Sequence, residues 1–400
     1  MNQQEEIYRE MKGEDVGIWF ISDEYGFKIG TKILSNVVRS LINGCRMEFL
    51  FGKDDKGDNK YFHSGAKIYD DKKNPFIITQ PSRFLRDYTG LTKILSEEEV
   101  IIEFYDELLT CSATAELKIK ESDRNEILNF MGNINHLYLG DYDSQLSLSM
   151  DSFVSSVDQS QITTNSYKID IKVIECEITN WNVIRKTLVG FSDVQDIFMS
   201  DKDEGGTFER QIWFSMESLF DRDIYLNPIV KQDSKDRELT DILAHYKFGN
   251  FLIETKALGI LNLEKEQSLE RKVSNVKKQI IKGIKQLIGA NKNIRRNLPI
   301  LSNSGKQIYL DSSLLSHCIV LVSELLQFGD WREIEKRIIS AMIDEKIYLH
   351  VMDYPEFMKY LKASMGKKER LDYYLMERVD RFINHSGNIH IRTTFTEKDK

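Results

Sequence analysis

A continuous apolar segment late in the chain restricts the fold more than any other feature of the sequence. Residues 317–323 read His-Cys-Ile-Val-Leu-Val-Ser, without the polar alternation of a strand that has one face in water. A strand of this composition is buried on both faces, as in sheets that are covered by helices on each side. Amphipathic helices are predicted before and after it in the chain, over residues 272–288 and 331–343. The sequence therefore predicts an α/β fold.

The same alternation of helices and strands extends from residue 207 to residue 400. A helix at 208–220 precedes a β-hairpin with a turn at residues 247–250. The two hairpin strands are predicted over residues 238–245 and 251–257. The last predicted elements are a strand and two helices, over residues 347–352, 354–362 and 367–382. We expect residues 207–400 to form one domain.

Residues 1–200 predict a separate domain with mixed α/β structure. Residues 96–109 begin with a capping-box pattern, which favours a helix, although their Val-Ile-Ile run also suits a strand. The Ser/Thr/Asp-rich segment 144–166 predicts a loop or an irregular edge. The polar run at 200–206 predicts the domain boundary, because charges and paired glycines interrupt both periodicities. Strands are predicted over residues 17–21, 45–51 and 167–174.

The charge balance and the cysteines exclude several classes of protein. A total of 55 Lys and Arg against 63 Asp and Glu gives a net charge of −8, so the chain does not coat nucleic acid with its whole surface. The four cysteines are scattered, with no Cys-X-X-Cys pair for a zinc site. No apolar run approaches the roughly 18–20 residues that span a bilayer, and the first residues carry no secretory signal. We expect a cytoplasmic protein with reduced thiols and no membrane partner.

The predicted hairpin carries the residues best suited to catalysis. In its second strand Glu254 and Lys256 share one face, because alternate residues of a strand point the same way. Asp241, near the start of the first strand, can approach Glu254 across the hairpin. Two carboxylates with open coordination positions suit Mg²⁺, and a neighbouring lysine can orient a water or neutralise charge on a phosphate.

Asp241, followed after twelve residues by Glu254-Thr255-Lys256, resembles the metal-binding motif of the PD-(D/E)XK, or restriction-endonuclease-like, nuclease superfamily. That family places a helix before the hairpin and a helix and a further strand after it, and residues 207–323 follow this order. The resemblance implies a C-terminal α/β/α domain with a mixed sheet. It also implies Asp241 and Glu254 as Mg²⁺ ligands, with Mn²⁺ as a substitute, and Lys256 as the catalytic lysine.

Further site residues follow from the same resemblance. Family members often carry a Glu on the first helix, and Glu209 is the nearest match, with Glu217 as its competitor. Some branches carry a Gln motif on the helix after the hairpin, which Gln279 resembles, although Gly283 stands where one branch has tyrosine. The sequence also departs from the family pattern just before the aspartate, where Leu-Thr replaces the usual proline.

The Glu-X-Lys tripeptide alone is a weak signal, since it occurs at least four times in the chain. Asp106 precedes Glu116-Leu117-Lys118 at a plausible distance and forms a second candidate. This candidate lacks a glycine turn between two apolar strands, and no basic amphipathic helix follows it. The context therefore favours the Asp241 motif. The alternative interpretation is a hairpin with a salt bridge at its edge and no catalytic role.

The helix after the motif is strongly basic. Between residues 271 and 297 there are nine Lys or Arg and no acidic residue. At ~100° per residue, four of them form a stripe opposite the apolar face, which suits contacts with a phosphodiester backbone. A solvated lysine face without a ligand is the alternative interpretation. The four residues of this basic stripe are Arg271, Lys278, Lys282 and Lys285.

The resemblance implies a Mg²⁺-dependent nuclease that hydrolyses DNA, an effector of bacterial antiviral defence that its N-terminal domain regulates by binding a trigger or a partner protein. One such site cuts one strand, so we expect a homo-oligomer if both strands of a duplex are cut. Three alternatives stay open. They are an RNase, a catalytically inactive binding module of the same fold, and a structural subunit whose basic stripe docks an acidic partner.

Overall fold

The computed structural model describes residues 3–23, 26–57, 59–71, 74–158, 163–191, 194–232, 235–257, 269–326, 328–385 and 387–395. These residues fall into two compact units. The first unit holds residues up to 185 together with 198–200. The second unit holds residues 186–197 and the described residues from 201 onward. The division at residue 200 into a regulatory and a nuclease domain stays a prediction.

The first unit contains two β-sheets with helices, and its fold is α/β as expected. Its helices are α1 Gln3–Gly13, α2 Ser35–Ile42, α3 Leu85–Ile94, α4 Glu121–Met131 and α5 Ser144–Val157, with a short 3₁₀ helix at Ile134–His136. Its strands are β1 Gly17–Asp23, β2 Gly26–Lys32, β3 Met47–Asp54, β4 Tyr61–Ile68, β5 Phe76–Ser82, β6 Glu99–Tyr105, β7 Cys111–Lys118, β8 Asp170–Glu175 and β9 Glu177–Val183. The strand orders are β1-β2-β6-β7-β9 and β5-β4-β3-β8.

Two local predictions in the first unit need correction. The helix favoured for residues 96–109 is wrong, because β6 occupies this segment and buries Val100, Ile102 and Phe104 on one face. The loop predicted for residues 144–166 is wrong in its first part, where α5 forms. The Asp143 side chain accepts a hydrogen bond from the backbone of the third residue of that helix, which is a regular N-cap.

The second unit contains the elements around the predicted site. Its helices are α6 Glu204–Phe220, α7 Leu269–Arg295, α8 Arg332–Glu345, α9 Tyr354–Ser364 and α10 Lys368–Asn384. Its strands are β10 Lys186–Val189, β11 Val194–Ile197, β12 Ile224–Leu226, β13 Ile229–Gln232, β14 Lys235–Glu238, β15 Ile242–Tyr246, β16 Gly249–Lys256, β17 Ile300–Leu301, β18 Gln307–Ile308, β19 Ser316–Val322 and β20 Tyr348–Asp353. In the ranges that the structure describes, no helix combines the length and the apolar character needed to cross a membrane.

A mixed five-stranded sheet forms the centre of the second unit, in the order β12-β15-β16-β19-β20. Strands β12, β15 and β16 are antiparallel, whereas β16, β19 and β20 run parallel. Every residue of β19 is buried, which confirms the prediction of a strand covered on both faces. The α/β class with a mixed sheet is therefore observed.

Helices cover both faces of this sheet. On one face α7 packs through Val276, Ile280 and Ile284 into the cluster that contains Leu252 and Val320 of the sheet. On the other face the ring of Phe220 at the end of α6 lies 5.0 Å from that of Phe251. The predicted order of helix, hairpin, helix and strand is confirmed for these elements.

The predicted hairpin strand over residues 238–245 is wrong as one continuous element. Its first residue, Glu238, ends β14, which belongs to a second sheet in the order β14-β13-β17-β18, and the chain then turns before β15 begins at Ile242. This small sheet was not expected, because strands of two to four residues are too short to show a period of two. The rest of the hairpin forms as predicted, with Tyr246 paired to Gly249 across its turn.

Helix α6 begins four residues earlier than predicted. Asp203 accepts a hydrogen bond from the Gly206 backbone at 2.9 Å and caps the helix, so the paired glycines of the 200–206 run lie inside it. The polar run therefore contains a helix start in addition to any boundary.

Gly283 allows α7 to approach the sheet closely. A Cβ atom at this position meets the side chain of Val320 at 3.0 Å and Cβ of Glu254 at 3.6 Å. Gly289, six residues later on the same helix, has nothing within 4 Å of such an atom. The helix thus approaches the strand of Glu254 at a position where even a methyl group makes a tight contact.

We predict that Gly283→Leu destabilises the protein by about 1–3 kcal/mol, because the added side chain forces the helix away from the sheet. Gly289→Leu is the matched control and stabilises by up to about 1 kcal/mol, since it only improves helix propensity. Chemical denaturation of both variants measures the difference. Equal changes in the two variants contradict the close approach of α7.

Candidate active site

At the end of the hairpin, where the backbone pairing between β15 and β16 stops, side chains make the remaining hydrogen bonds to the backbone of β16. Ile242 pairs with Ile253, so Asp241 lies opposite Glu254 just outside the last pair. At this point Thr240 Oγ1 donates to the carbonyl of Ile253 at 2.8 Å, and Asp241 Oδ2 accepts from the Thr255 backbone N–H at 2.6 Å. Two buried backbone groups that lack a neighbour on β15 are satisfied in this way, as buried polar groups must be. This pairing holds Asp241 against β16.

The structure brings Asp241, Glu254 and Lys256 together. Lys256 Nζ lies 2.8 Å from Glu254 Oε2 and 3.8 Å from Asp241 Oδ2. The side chains are 10% exposed for Lys256, 9% for Asp241 and 1% for Glu254. A nearly buried ammonium therefore lies between two carboxylates at the end of the β15–β16 hairpin.

Burial changes the proton affinity of the central carboxylate. It raises the pKa of Glu254, and the neighbouring Asp241 carboxylate raises it further, while the Lys256 ammonium opposes both effects. One ammonium does not compensate two buried carboxylates completely. The site therefore favours an additional positive charge.

Glu209 of α6 also belongs to this cluster. Burial and the Asp241 carboxylate raise its pKa to about 7, and the Asn227 side chain hydrogen-bonds to it. The competing candidate, Glu217, lies about two turns further along α6. Its Oε2 accepts from the backbone N–H of Phe191 at 3.0 Å, in the hairpin β10–β11. The structure thus places Glu209 near Asp241, and gives Glu217 a contact with a different element.

Glu238 is a neighbour of the site that the sequence did not reveal. Glu238 is exposed, and its pKa is raised by loss of hydration, by the charge of Asp241 and by a hydrogen bond with the Asp241 side chain. In one continuous strand, residues 238 and 241 point to opposite faces because their separation is odd. The chain turns between β14 and β15, so this alternation of faces does not apply to residues 238 and 241. Only the three-dimensional structure shows their contact.

Gln279 and the basic stripe lie on α7. Gln279 is exposed, one turn before the glycine that contacts Glu254 Cβ, and the four stripe residues are exposed as well. Asn293 marks the flank of α7 next to the small sheet, since its Oδ1 accepts from Gln232 of β13 at 2.8 Å. At ~100° per residue, Arg271, Lys278 and Lys282 lie within ~60° of Asn293 around the helix. Most of the stripe therefore faces the side on which β13 and β14 lie.

The second Glu-X-Lys candidate has a different structure. Asp106 Oδ1 accepts from the Thr110 backbone at 3.1 Å, and its Oδ2 accepts from Ser112 Oγ at 3.0 Å, so the carboxylate closes a turn between β6 and β7. Glu116 pairs with Asn180, and Lys118 with Glu99. These three charged groups are engaged in three separate contacts and form no common site.

The donor set at the Asp241 site fits a hard divalent cation. Asp241 and Glu254 offer carboxylate oxygens, and Mg²⁺ commonly takes one or two carboxylates and completes its shell with water and phosphate oxygens. Across the described ranges, no group of three or more His, Cys, Asp or Glu is arranged to hold a metal ion. Asp241 and Glu254 are the two carboxylates that a metal ion would use here, and the Lys256 ammonium lies at 3.8 Å and 2.8 Å from them.

No protein-family model matches the sequence, and no curated protein matches it. Among solved structures, the chain is similar to the small subunit (R.BspD6I2) of the heterodimeric restriction endonuclease R.BspD6I. The similarity covers 45% of this chain and 89% of that subunit, at 14% sequence identity and a TM-score of 0.26. A TM-score of this size carries no argument, so membership of the restriction-endonuclease-like superfamily stays a prediction.

The raised pKa of Glu209 predicts a pH-dependent effect on stability. Because its pKa is higher in the folded than in the unfolded chain, ionisation disfavours the folded state, and this penalty grows as the pH rises through about 7. Glu209→Gln is therefore expected to raise the free energy of unfolding by about 1–3 kcal/mol near pH 8, and by clearly less near pH 5. Urea denaturation in EDTA at both pH values tests this. A gain that is equal at both, or larger near pH 5, contradicts it.

Proposed function

We propose that this chain is a Mg²⁺-dependent nuclease that hydrolyses phosphodiester bonds of DNA. The observation that carries the proposal is the convergence of Asp241, Glu254 and Lys256 at the end of one hairpin, with the ammonium 2.8 Å and 3.8 Å from the two carboxylates. Taking charges out of water is costly, and one ammonium is here shared by two carboxylates. Their position at the open end of the hairpin, next to a basic helix, supports a catalytic role.

Asp241 and Glu254 are the residues that would hold the metal ion. When bound there, Mg²⁺ supplies Lewis-acid polarisation of a phosphate oxygen and lowers the pKa of a water molecule. Lys256 is held by Glu254 with its ammonium at the same point, where it can orient a water or stabilise the negative charge that develops on the phosphate. Glu209 and Glu238 add negative charge around Asp241, which strengthens the attraction for a cation.

The basic stripe of α7 is the surface that we propose binds DNA. Its four residues are exposed on a protein whose net charge is −8, so the positive charge is local. Duplex DNA binds such stripes through its phosphates, with strong dependence on salt. The stripe lies on the helix that packs against the strand of Glu254, and we place the bound phosphate backbone on its exposed side.

The biological setting is also part of the proposal. We assign to the first unit the role of binding a trigger or partner protein that controls the nuclease, in a bacterial antiviral defence system. A homo-oligomer is proposed because one site cuts one strand. Sedimentation of the full chain with and without duplex DNA tests the oligomer.

Cleavage of plasmid DNA tests the proposed catalytic site. Wild-type protein with Mg²⁺ or Mn²⁺ is expected to nick or linearise plasmid DNA, and EDTA stops the reaction. Glu254→Ala is expected to lose at least ~100-fold in rate, because it removes a metal ligand and the partner of Lys256. Glu116→Ala is the matched control from the second Glu-X-Lys tripeptide and keeps the wild-type rate.

Equal losses in Glu254→Ala and Glu116→Ala contradict the assignment of the site. Matched single-stranded and double-stranded DNA and RNA oligonucleotides, tested with the same proteins, decide the substrate. Cleavage of RNA alone replaces the DNase proposal with an RNase. Binding of DNA by wild type without any cleavage or cation binding supports an inactive module instead.

The salt dependence of DNA binding tests the role of the basic stripe. The double variant Lys278→Gln/Lys282→Gln, made on a Glu254→Ala background so that the duplex stays intact, is expected to bind duplex DNA more weakly. The slope of log K against log salt is expected to fall in magnitude by about 1–2, since up to two phosphate contacts are lost. Lys306→Gln, at an exposed lysine of the β17–β18 turn, is the control. Fluorescence anisotropy over a salt series measures both slopes, and an unchanged slope in the double variant contradicts the role of the stripe.

A further inference from the structure

The middle residue of the Glu254-Thr255-Lys256 tripeptide makes an unusual pair of contacts. Thr255 donates two hydrogen bonds to one oxygen of Asp241, from its backbone N–H at 2.6 Å and from its hydroxyl at 2.9 Å. Both residues are buried, so water has little access to these bonds. The hydroxyl therefore does more than satisfy the end of the ladder, because the backbone bond alone would do that.

The two bonds restrict the orientation of the Asp241 carboxylate. Both end on Oδ2, so the plane of the carboxylate is held and Oδ1 takes no part in them. A carboxylate that is held in this way keeps a defined orientation and loses less side-chain freedom when it binds a cation. Partners of this kind, which orient a metal ligand without touching the metal, typically contribute 10–100-fold to metal affinity.

We propose that Thr255 is a positioning residue, whose hydroxyl orients the Asp241 carboxylate so that this carboxylate and Glu254 bind one divalent cation. This inference rests on the proposed function, because it assigns a role to Thr255 at the same site. It goes beyond the Asp, Glu and Lys of the motif, since the hydroxyl of the intervening residue has no part in that pattern. The role belongs to the side chain, as any residue at 255 supplies the backbone bond.

Two variants separate the hydroxyl from the rest of the side chain. Thr255→Val keeps the shape and the backbone N–H and removes only the hydroxyl, whereas Thr255→Ser keeps the hydroxyl and removes a methyl group. Calorimetric titration of the full chain with Mn²⁺ is expected to give a Kd about tenfold weaker for Val. For Ser we expect a Kd within about threefold of wild type. Thermal unfolding of each variant in EDTA reports whether the fold is kept.

Cleavage kinetics give an independent readout. A positioning role predicts that Thr255→Val needs more Mn²⁺ for half-maximal plasmid cleavage, by about the same factor as the change in Kd. The maximal rate at saturating Mn²⁺ stays close to that of wild type, because the residues that touch the substrate are unchanged. If Val is too unstable to measure, Thr255→Ala and Thr255→Ser provide the same comparison.

The outcomes distinguish this inference from the proposed function. If wild type binds Mn²⁺ and Asp241→Asn does not, the metal site stands, and equal affinity of Val and wild type overturns the role of Thr255. Equal weakening in Val and Ser also overturns it, since packing of the side chain then matters and the hydroxyl does not. If wild type and Asp241→Asn give the same titration, the metal site fails and the inference about Thr255 fails with it.

Discussion

The buried ion pair between Lys256 and Glu254 is the constraint on which the rest of the second unit depends. Glu254 lies within the central sheet, where an unpaired carboxylate costs several kcal/mol. The Lys256 ammonium offsets this cost but also approaches Asp241, so two carboxylates share one cation. The ion pair is therefore stable enough to form, and the three side chains together still carry one more negative than positive charge when both carboxylates are ionised. Both properties follow from the same three side chains.

Packing and electrostatics are linked at this site through α7. Because Gly283 lacks a side chain, the helix lies against Val320 and the Cβ of Glu254. The close contact excludes water from the carboxylate, and burial then raises its pKa. A bulkier residue at position 283 separates helix and sheet, admits water and weakens every charge interaction in the cluster.

Much of the central fold could be predicted from sequence because its elements are long and strongly patterned. The buried strand expected at 317–323 forms within one residue of that range as β19, and the basic helix contains the whole segment expected for it. Predictions failed where composition and periodicity disagreed. Residues 144–157 are rich in serine, which indicates a loop, yet Leu146 and Phe153 are spaced as on one helix face and both are buried.

The small second sheet shows a different limit of sequence reasoning. Its strands have two to four residues, and what holds them is pairing with distant segments, such as Val230 with Ile300. No local pattern records such a contact. The consequence reaches the site, because the end of β14 brings Glu238 to Asp241 and turns a motif of three charged residues into a larger acidic cluster. Sequence reasoning could find the tripeptide and its aspartate, but the surroundings that set their charge depend on the fold.

The two Glu-X-Lys segments on strands show what separates a candidate site from an ordinary polar edge. Both lie on strands in which Glu and Lys share a face, and both follow an aspartate, so the tripeptide and its aspartate do not distinguish them without their context. Both carboxylate oxygens of Asp106 accept hydrogen bonds from the turn between β6 and β7. The bonds from Thr255 to Asp241 both end on Oδ2, and the ammonium and the second carboxylate converge on the same point. The charges of Asp241, Glu254 and Lys256 therefore converge, whereas those of Asp106, Glu116 and Lys118 are engaged separately.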